Sequence, residues 1–260
     1  MRESPKETTL LKSSLTQKPS LSPRVLELDT LSHVNQVVLN LVPCKNIIGP
    51  LAVLTGDQWI QEIVKGIKLD FTETPSQKRI PKDIEMPESQ KALVEEEIKE
   101  LLRKGAISQV NTEIGQFIST IFLTEKRNGK QRPIINLKNL NFFIVYEKFK
   151  MENLKELKDL LKEGDLMMKL DMKDAYFNLL LHQNYRKFVR FTWKETLYEF
   201  TCICFGLGPG PRFLSKLLKV LIQFLRRLNI RLVIYLDDIL VLGETLEIIL
   251  QARDTILYLL

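Results

Sequence analysis

Two groups of carboxylates stand at the ends of largely apolar segments in this sequence. Asp171 follows the segment Leu166–Leu170, and Asp237 and Asp238 follow the segment Leu232–Leu236. Apolar segments of this length are typical of strands buried in a core. An ionised carboxylate at the end of such a strand is costly to desolvate unless it is paired or binds a metal. Two such ends side by side would repel each other, and a divalent cation relieves that repulsion. The pattern therefore predicts a two-metal phosphoryl-transfer centre.

Each carboxylate motif also has a simpler interpretation when it is taken alone. Tyr235-Leu236-Asp237-Asp238 can be an ordinary hairpin turn, because Asp is common in turns. Asp171 can be a strand end or a helix N-cap, although Asp174 is the better candidate for a cap. Apolar strands on both sides of Asp237 favour the metal site, because an ordinary turn rarely places two acids between core strands.

Two further segments could contact a ligand. Cys204–Pro211 contains three glycines at a predicted strand-to-helix junction, where the backbone could approach a ligand closely. It lacks the Gly-Lys-Ser/Thr of a phosphate-binding P-loop, and taken alone it is better explained as a rigid turn that starts the long helix. Lys126–Arg132 places four cations on a predicted hairpin tip, as a triphosphate site requires, but a solvated turn has the same composition.

The elements that must position these residues can be predicted from periodicity. A helix is expected over Glu88–Lys104, where Gly105 ends it, and another helix over Leu154–Leu161. Strands and hairpins are expected around the turns, and a long helix carries an apolar face after the glycines. Helices and strands alternate without a doubly wound pattern, so the predicted fold class is α+β. The remaining segments are the strands Phe117–Thr124, Arg132–Leu137, Phe188–Trp193 and Leu197–Cys204, the helix lined by Phe213, Leu217, Leu218, Leu221, Phe224 and Leu225, the hairpin Ile230–Leu242 and the helix Glu244–Leu260.

Three regions follow from composition. Residues 1–45 are predicted to be disordered or weakly ordered, because the first part is rich in Ser, Thr, Lys and Pro. Residues 46–87 are predicted to form a short helix near Trp59–Lys68, packed through Trp59 and Ile63, and then an extended arm containing three prolines. Residues 88–260 form the main domain.

Composition also excludes several classes of protein. The 260 residues are 45% hydrophobic and 27% charged, which is typical of a globular chain. A net charge of +6 favours a polyanionic partner, although a solvated surface explains it as well. His33 and His182 are isolated, which argues against a zinc protease or a Ser/His triad. The three cysteines have no CxxC spacing, which suits a reducing compartment and gives no zinc site.

Location is predicted from what the sequence lacks. No 18 consecutive residues are all apolar, and the first residues are polar, unlike those of a secretory signal. We therefore expect no membrane partner and an intracellular protein of the cytoplasm, the nucleus or both.

Taken in order, the motifs resemble those of retroelement reverse transcriptases over roughly residues 80 to 255. The matching segments are Lys126–Pro133, Leu170–Phe177, Phe205–Leu207 and Tyr235–Asp238. Their order and approximate spacing are far more specific than any one of them. Arg226–Tyr235, and the region of Trp59, look most like the DIRS-like retroelements that carry a tyrosine recombinase.

The resemblance implies a right-hand polymerase, of which the chain holds the fingers and part of a palm with a ferredoxin-like sheet. Asp171, Asp237 and Asp238 would be the catalytic carboxylates. With the Met172 carbonyl they would bind two Mg²⁺ ions, or Mn²⁺ in their place. Asp238 would be the more peripheral of the three.

The resemblance also implies how the deoxynucleotide binds. Lys126 and Arg132 match the family's triphosphate-binding cations, and Gly206 and Met172 would contact the nucleotide through the backbone. Tyr176 matches the steric gate, an aromatic ring beneath the sugar where a 2′-hydroxyl would clash. A core aromatic is the alternative for Tyr176, and Phe177 is predicted to be one.

The implied partners are dNTPs and a primed RNA or DNA template. The chain is expected to be truncated after the Tyr235–Asp238 motif, with the thumb absent and with thumb, RNase H or recombinase regions downstream in a parent polyprotein. One departure from the family is Pro209, a second proline after Phe205-Gly206-Leu207, which stiffens that turn. The alternatives are a catalytically inactive retroelement fragment that only binds nucleic acid, and a different two-metal enzyme such as a nuclease.

Overall fold

The structure is a computed structural model that describes residues 55–125, 129 and 131–260. The predictions for residues 1–45 and for most of the basic hairpin tip, including Lys126, therefore lie outside the described residues. The boundaries of the three predicted regions stay predictions.

The described residues form nine strands and seven α-helices, and the predicted α+β class is confirmed. The strands are β1 (Ile107–Gln109), β2 (Ile118–Ser119), β3 (Ile121–Glu125), β4 (Gln131–Ile135), β5 (Leu166–Asp171), β6 (Arg190–Trp193), β7 (Thr196–Phe200), β8 (Arg231–Tyr235) and β9 (Asp238–Gly243). The helices are α1 (Gln58–Ile63), α2 (Glu88–Arg103), α3 (Lys138–Asn141), α4 (Leu154–Leu160), α5 (Gln183–Arg186), α6 (Gly210–Arg227) and α7 (Leu246–Leu259), and a 3₁₀ turn spans Ala175–Asn178.

A three-stranded antiparallel sheet of order β5-β9-β8 carries the predicted carboxylates. Helix α6 packs against β8, and α7 packs against β9 and β5. The apolar face of α6 is buried, as its periodicity predicts, and includes Leu217 and Leu221. The strand residues Leu232, Ile239 and Val241 belong to the same core, because each is fully buried. The core thus holds β8 and β9 rigidly up to their shared turn.

A second sheet of order β1-β7-β6-β2 stands apart from the two-stranded hairpin of β3 and β4. The strand predicted over Phe117–Thr124 is wrong in one respect, because it is divided at Thr120. Its first part, β2, pairs in parallel with β6, whereas β3 pairs antiparallel with β4. Because the strand is divided, β2 and β3 belong to two different sheets although they are adjacent in the sequence.

Helix α2 confirms its predicted start and ends one residue before the predicted end. Gly105 has a φ of 67°, and the N–H of Ala106 bonds to the carbonyl of Leu101, which closes the helix. Val94, Ile98 and Leu101 are buried, as the spacing requires.

Helix α1 is shorter than predicted. It ends at Ile63, because Gly66 takes a φ of 105° and Ile67 then pairs with Leu181 as an isolated bridge. Ile63 is buried as predicted, and Trp59 stacks on Phe213 at 6.4 Å between ring centroids. In the part of the chain that the structure describes, no helix is both long enough and apolar enough to span a membrane.

Candidate active site

The pairing of β5 with β9 sets the predicted carboxylates together. Asp171 pairs directly with Asp238, and the N–H of Met172 donates to the carbonyl of Asp237 at 2.8 Å. Asp237 itself lies in the two-residue turn between β8 and β9, because Tyr235 pairs with Asp238. Residues far apart in the sequence therefore meet at one end of the sheet.

The turn places a bulky residue in an unfavourable backbone region. Leu236 has a φ of 55°, a conformation that tight hairpin turns require and that glycine adopts more readily. The buried strands on either side enforce it. The turn thus directs Asp237 and Asp238 at some cost in strain.

The carboxylates interact strongly. Burial raises the pKa of Asp171 above its usual value of 3.8, and the Asp237 and Asp238 carboxylates and a hydrogen bond with Asp238 raise it further. Lys169 opposes this, since its ammonium lies 2.9 Å from Oδ1 of Asp238. The hydrogen bond that Lys169 donates to Asp238 raises the pKa of Lys169. The site therefore has an excess of negative charge that one lysine only partly balances.

This donor set fits magnesium. Among the residues of the described ranges, no three His, Cys, Asp or Glu side chains converge as a ready-made metal cage. Mg²⁺ rarely uses such a cage, because it usually binds one or two carboxylates together with water and substrate phosphates. The opposed pair of Asp171 and Asp238, with Asp237 beside them, matches that mode of binding.

Tyr176 lies next to the carboxylates and is nearly buried, with 9% of its surface exposed. Its ring meets Phe205 edge-to-face at 5.2 Å between centroids. Burial raises the pKa of Tyr176 to about 12, and Asp237 adds to the shift, so the hydroxyl is neutral at physiological pH. Phe177 is buried, as predicted for a core aromatic.

The start of α6 touches the same tyrosine. A Cβ added to Gly210 would lie 3.3 Å from Cε1 of Tyr176 and 3.1 Å from Cγ2 of Ile203. The glycine therefore lets the helix approach the ring closely. Pro209 precedes the helix and Pro211 stands in its first turn, positions at which proline is tolerated.

Asp174 stands at the N-cap position of the 3₁₀ turn but forms no side-chain cap, so that part of the prediction is wrong. Its φ of 57° turns the side chain to Lys104, whose Nζ lies 2.7 Å from Oδ2. Lys104 also lies 3.4 Å from Glu100 and 5.8 Å from the ring centroid of Phe177. Lys104 thus ties the end of α2 to the segment that carries Tyr176.

The loop of Gly206 is fixed by a side chain that sequence reasoning missed. Gly206 has a φ of 91°, and its carbonyl accepts from Nδ2 of Asn141 at 2.8 Å. Oδ1 of Asn141 accepts from the N–H of Gly208 at 2.9 Å, and the hydroxyl of Tyr146 donates to the Gly208 carbonyl at 3.2 Å. Asn141 lies in the segment after the basic hairpin, but a lone Asn gives no periodic signal.

Arg132 reaches the same place from β4. Its guanidinium carbon lies 5.9 Å from the ring centroid of Phe205, the ring that contacts Tyr176. Phe205 is 38% exposed, although Cys204 before it and Leu207 after it are buried. The structure thus brings Arg132, Tyr176 and Gly206 around Phe205, beside the carboxylates.

Comparison with known proteins identifies the family of this chain. The family model described as reverse transcriptase (RNA-dependent DNA polymerase) matches residues 124–260. The chain belongs to the reverse transcriptase family. This match includes the carboxylates, Tyr176, the Gly206 loop and the β4 residue Arg132.

Viral polyproteins are among the relatives of this reverse transcriptase domain. The chain is 32% identical to the genome polyprotein of Petunia vein clearing virus (isolate Shepherd) over 124 residues, which are 48% of this chain and 6% of that protein. It is 29% identical to the enzymatic polyprotein of Cauliflower mosaic virus (strain Strasbourg) over 123 residues, which are 47% of this chain and 18% of that protein. The chain therefore spans only a small part of these relatives.

A solved reverse transcriptase shares the fold. The foamy viral protease-reverse transcriptase, solved in complex with double-stranded DNA, has a TM-score of 0.62 and 16% identity, over 74% of this chain and 39% of that one. At this identity the likeness supports the fold, and it confirms the reverse-transcriptase-like α+β architecture.

The structure places most of the predicted site residues near one another. The structure brings together Asp171, Asp237 and Asp238, as predicted. Lys126 lies outside the described residues, so its predicted role stays a prediction. The sequence predicted no role for Lys104, Asn141, Lys169 or the Phe205 ring, each of which makes a contact with a residue distant in the sequence.

Proposed function

We propose that this chain is the RNA-directed DNA polymerase domain of a retroelement, which extends a primer with dNTPs on an RNA or DNA template. The observation that carries the proposal is the register that sets Asp171 opposite Asp238, with Asp237 at the adjoining turn. Membership of the reverse transcriptase family supports the same reaction.

The metal would be held by this chain's carboxylates. Asp171, Asp237 and Asp238, with the carbonyl of Met172, would bind two Mg²⁺ ions, or Mn²⁺ in their place. Bound there, the ions would activate the primer 3′-hydroxyl and neutralise the charge on the nucleotide phosphates and the leaving pyrophosphate. In-line attack needs positioning and charge neutralisation more than a protein nucleophile. The protein's task is therefore to hold oxygen ligands and substrates in line.

The residues around Phe205 would bind the nucleotide. Tyr176 would lie beneath the sugar, where its ring would clash with a 2′-hydroxyl. Arg132 would bind the triphosphate together with Lys126, because forked or mobile cations suit phosphate oxygens. Gly206 and the backbone of Met172 would lie against the nucleotide. The contact of Arg132 with Phe205 supports this grouping, because it sets a cation beside the ring that touches Tyr176.

A neighbouring groove suits the template strand. A cavity of about 460 Å³ is lined by Phe122, Lys138, Asn141, Phe142 and Gly206. The Phe142 side chain is 74% exposed, and a nucleic-acid base can stack on an exposed aromatic ring. A lysine at the same groove could contact the backbone phosphates.

The wider setting follows from the sequence motifs. Arg226–Tyr235 and the region of Trp59 support a DIRS-like retroelement with a tyrosine recombinase, and the polyprotein relatives support a parent polyprotein. In that parent we place thumb, RNase H or recombinase regions downstream. We place its activity inside the cell, in the cytoplasm, the nucleus or both.

Primer extension tests the proposal. The whole chain is incubated with a DNA primer on an RNA template, dNTPs and Mg²⁺, beside Asp237→Asn. Asp159→Asn, an exposed aspartate on α4, is the matched control. We expect extension by the wild type and the control, and a loss of at least about a hundredfold in Asp237→Asn, because the change removes a metal ligand.

Other outcomes would contradict the proposal. Salt-dependent binding of the template without extension by either protein would indicate a fragment that only binds nucleic acid. Degradation of the template, lost in Asp171→Asn, would indicate a two-metal nuclease.

A further inference from the structure

Lys169 lies beside the carboxylates but is neither a ligand nor a core residue. It stands on β5 two positions before Asp171, so the two side chains share one face of the sheet. Its neighbours Met168 and Leu170 are buried on the other face, whereas its own side chain is 62% exposed. Packing therefore does not require a lysine here.

The ammonium of Lys169 binds the carboxylate that faces Asp171. Its Nζ lies 2.9 Å from Oδ1 of Asp238. Because Asp238 pairs directly with Asp171 across the strands, the lysine also attracts Asp171 and Asp237 electrostatically. One cation is thus placed against three carboxylates.

A divalent metal would have to share Asp238 with this lysine. Two cations at the same oxygen repel each other, and a metal that took this oxygen would displace the ammonium. We propose that Lys169 is a positioning residue that holds Asp238 and lowers the affinity of the carboxylate cluster for divalent metal until substrate is bound. The inference rests on the proposed function, because it takes these carboxylates to be the metal ligands.

This arrangement has a consequence for the order of binding. With Lys169 engaged, the free domain binds metal weakly, and the phosphates of an incoming nucleotide supply the missing oxygen ligands. The lysine thereby also limits the repulsion between carboxylates in the metal-free protein.

The proposal is tested by titrating the whole chain with Mn²⁺ and measuring binding as the loss of the free-ion signal in electron paramagnetic resonance. This measurement does not require polymerase activity. We expect Lys169→Met to bind Mn²⁺ roughly two- to tenfold more tightly than the wild type, since a surface charge pair has a modest energy that doubles for a divalent ion. Lys169→Arg keeps the charge and should restore wild-type affinity. Lys158→Met, an exposed lysine on α4, is the control.

A double substitution checks that the effect passes through Asp238. In an Asp238→Asn background, the gain from Lys169→Met should fall well below that seen in the wild-type background. Lys169→Gln serves as a second neutral variant if the Met variant melts at a lower temperature.

The outcomes separate this inference from the proposed function. One outcome is that both neutral variants of Lys169 bind Mn²⁺ no more tightly than the wild type, while Asp171→Asn abolishes the binding seen in the wild type. This outcome would overturn the role of Lys169 and leave the proposed metal centre unaffected. No Mn²⁺ binding that depends on Asp171 in any variant would overturn both.

Discussion

Replacement of one carboxylate of the candidate active site should stabilise the metal-free protein. Asp171 faces Asp238 directly across two strands, and Asp237 lies at the adjoining turn. Like charges in this position repel, which is why the pKa of Asp171 is raised by its neighbours as well as by burial. Asp171→Asn removes one of the three charges at nearly constant volume, so it should remove repulsion without making a cavity.

The magnitude follows from the geometry. Directly paired residues have Cβ atoms about 5 Å apart, and two unit charges at that distance repel by roughly 0.8 kcal/mol in water and roughly 3 kcal/mol at a protein surface of lower dielectric. Both side chains are more than one-third exposed and Lys169 offsets part of the charge, so the lower figure applies. We expect a gain of about 0.5–1 kcal/mol, or about 1–4 °C in the melting temperature.

The dependence on pH has a definite sign. The native protein holds the Asp171 proton more tightly than the unfolded chain, whose carboxyl has the usual pKa of 3.8. The wild type therefore has no repulsion penalty below that pH, and the penalty develops as the pH rises through the raised pKa. The gain from Asp171→Asn should be full at pH 7 and vanish below about pH 4.

Thermal melts in EDTA at a series of pH values measure this gain. A lower melting temperature for Asp171→Asn than for wild type at pH 7 would contradict repulsion between these carboxylates, as would a gain that persists unchanged at low pH. Added Mg²⁺ should raise the wild-type melting temperature more than that of the variant, because a ligand that binds the native state stabilises it.

Three further predictions test other parts of the structure. Tyr176→Ala should raise ribonucleotide incorporation relative to deoxyribonucleotide, and unchanged selectivity in a competition assay would contradict the steric-gate role proposed for Tyr176. Arg190→Met should lower the free energy of unfolding by about 3–5 kcal/mol, measured by urea denaturation, because it leaves the buried Glu199, 2.6 Å from the guanidinium, without its charge partner. A loss below about 1 kcal/mol would indicate that the pair is solvated. Gly66→Ala should lower the melting temperature by several degrees, since the added Cβ would lie 2.6 Å from the main chain of His182. Gly56→Ala, whose Cβ would have no atom within 4 Å, should melt like the wild type. Equal melting temperatures for the two variants would contradict this packing.

The elements of the site could be predicted because their signals are local. Apolar strands and a two-residue turn predict the hairpin whose turn contains Asp237, and the 3.6-residue period predicts α2 and α6. The approach of Asp171 to Asp238 required a further inference, that two strand ends pair in one sheet, and the register confirms it.

The remaining features depend on long-range partners. The division of a predicted strand at Thr120 depends on β6, which lies about seventy residues further along the chain. Asn141 is the last residue of α3 and Lys104 is the C-cap of α2. One polar residue at such a position has no distinctive spacing, and only the fold brings Gly206 and Asp174 to them. Single polar contacts of this kind have no sequence pattern to detect.

We propose that these carboxylates catalyse the addition of nucleotides and that a template strand selects which nucleotide is added. The most direct measurement is addition of one nucleotide to a primer on four RNA templates that differ only in the first unpaired base. We expect the identity of the added nucleotide to follow the template base, and we expect the addition to require a divalent metal and to be lost in Asp237→Asn. Addition that ignores the template base, or addition that survives Asp237→Asn, would contradict it.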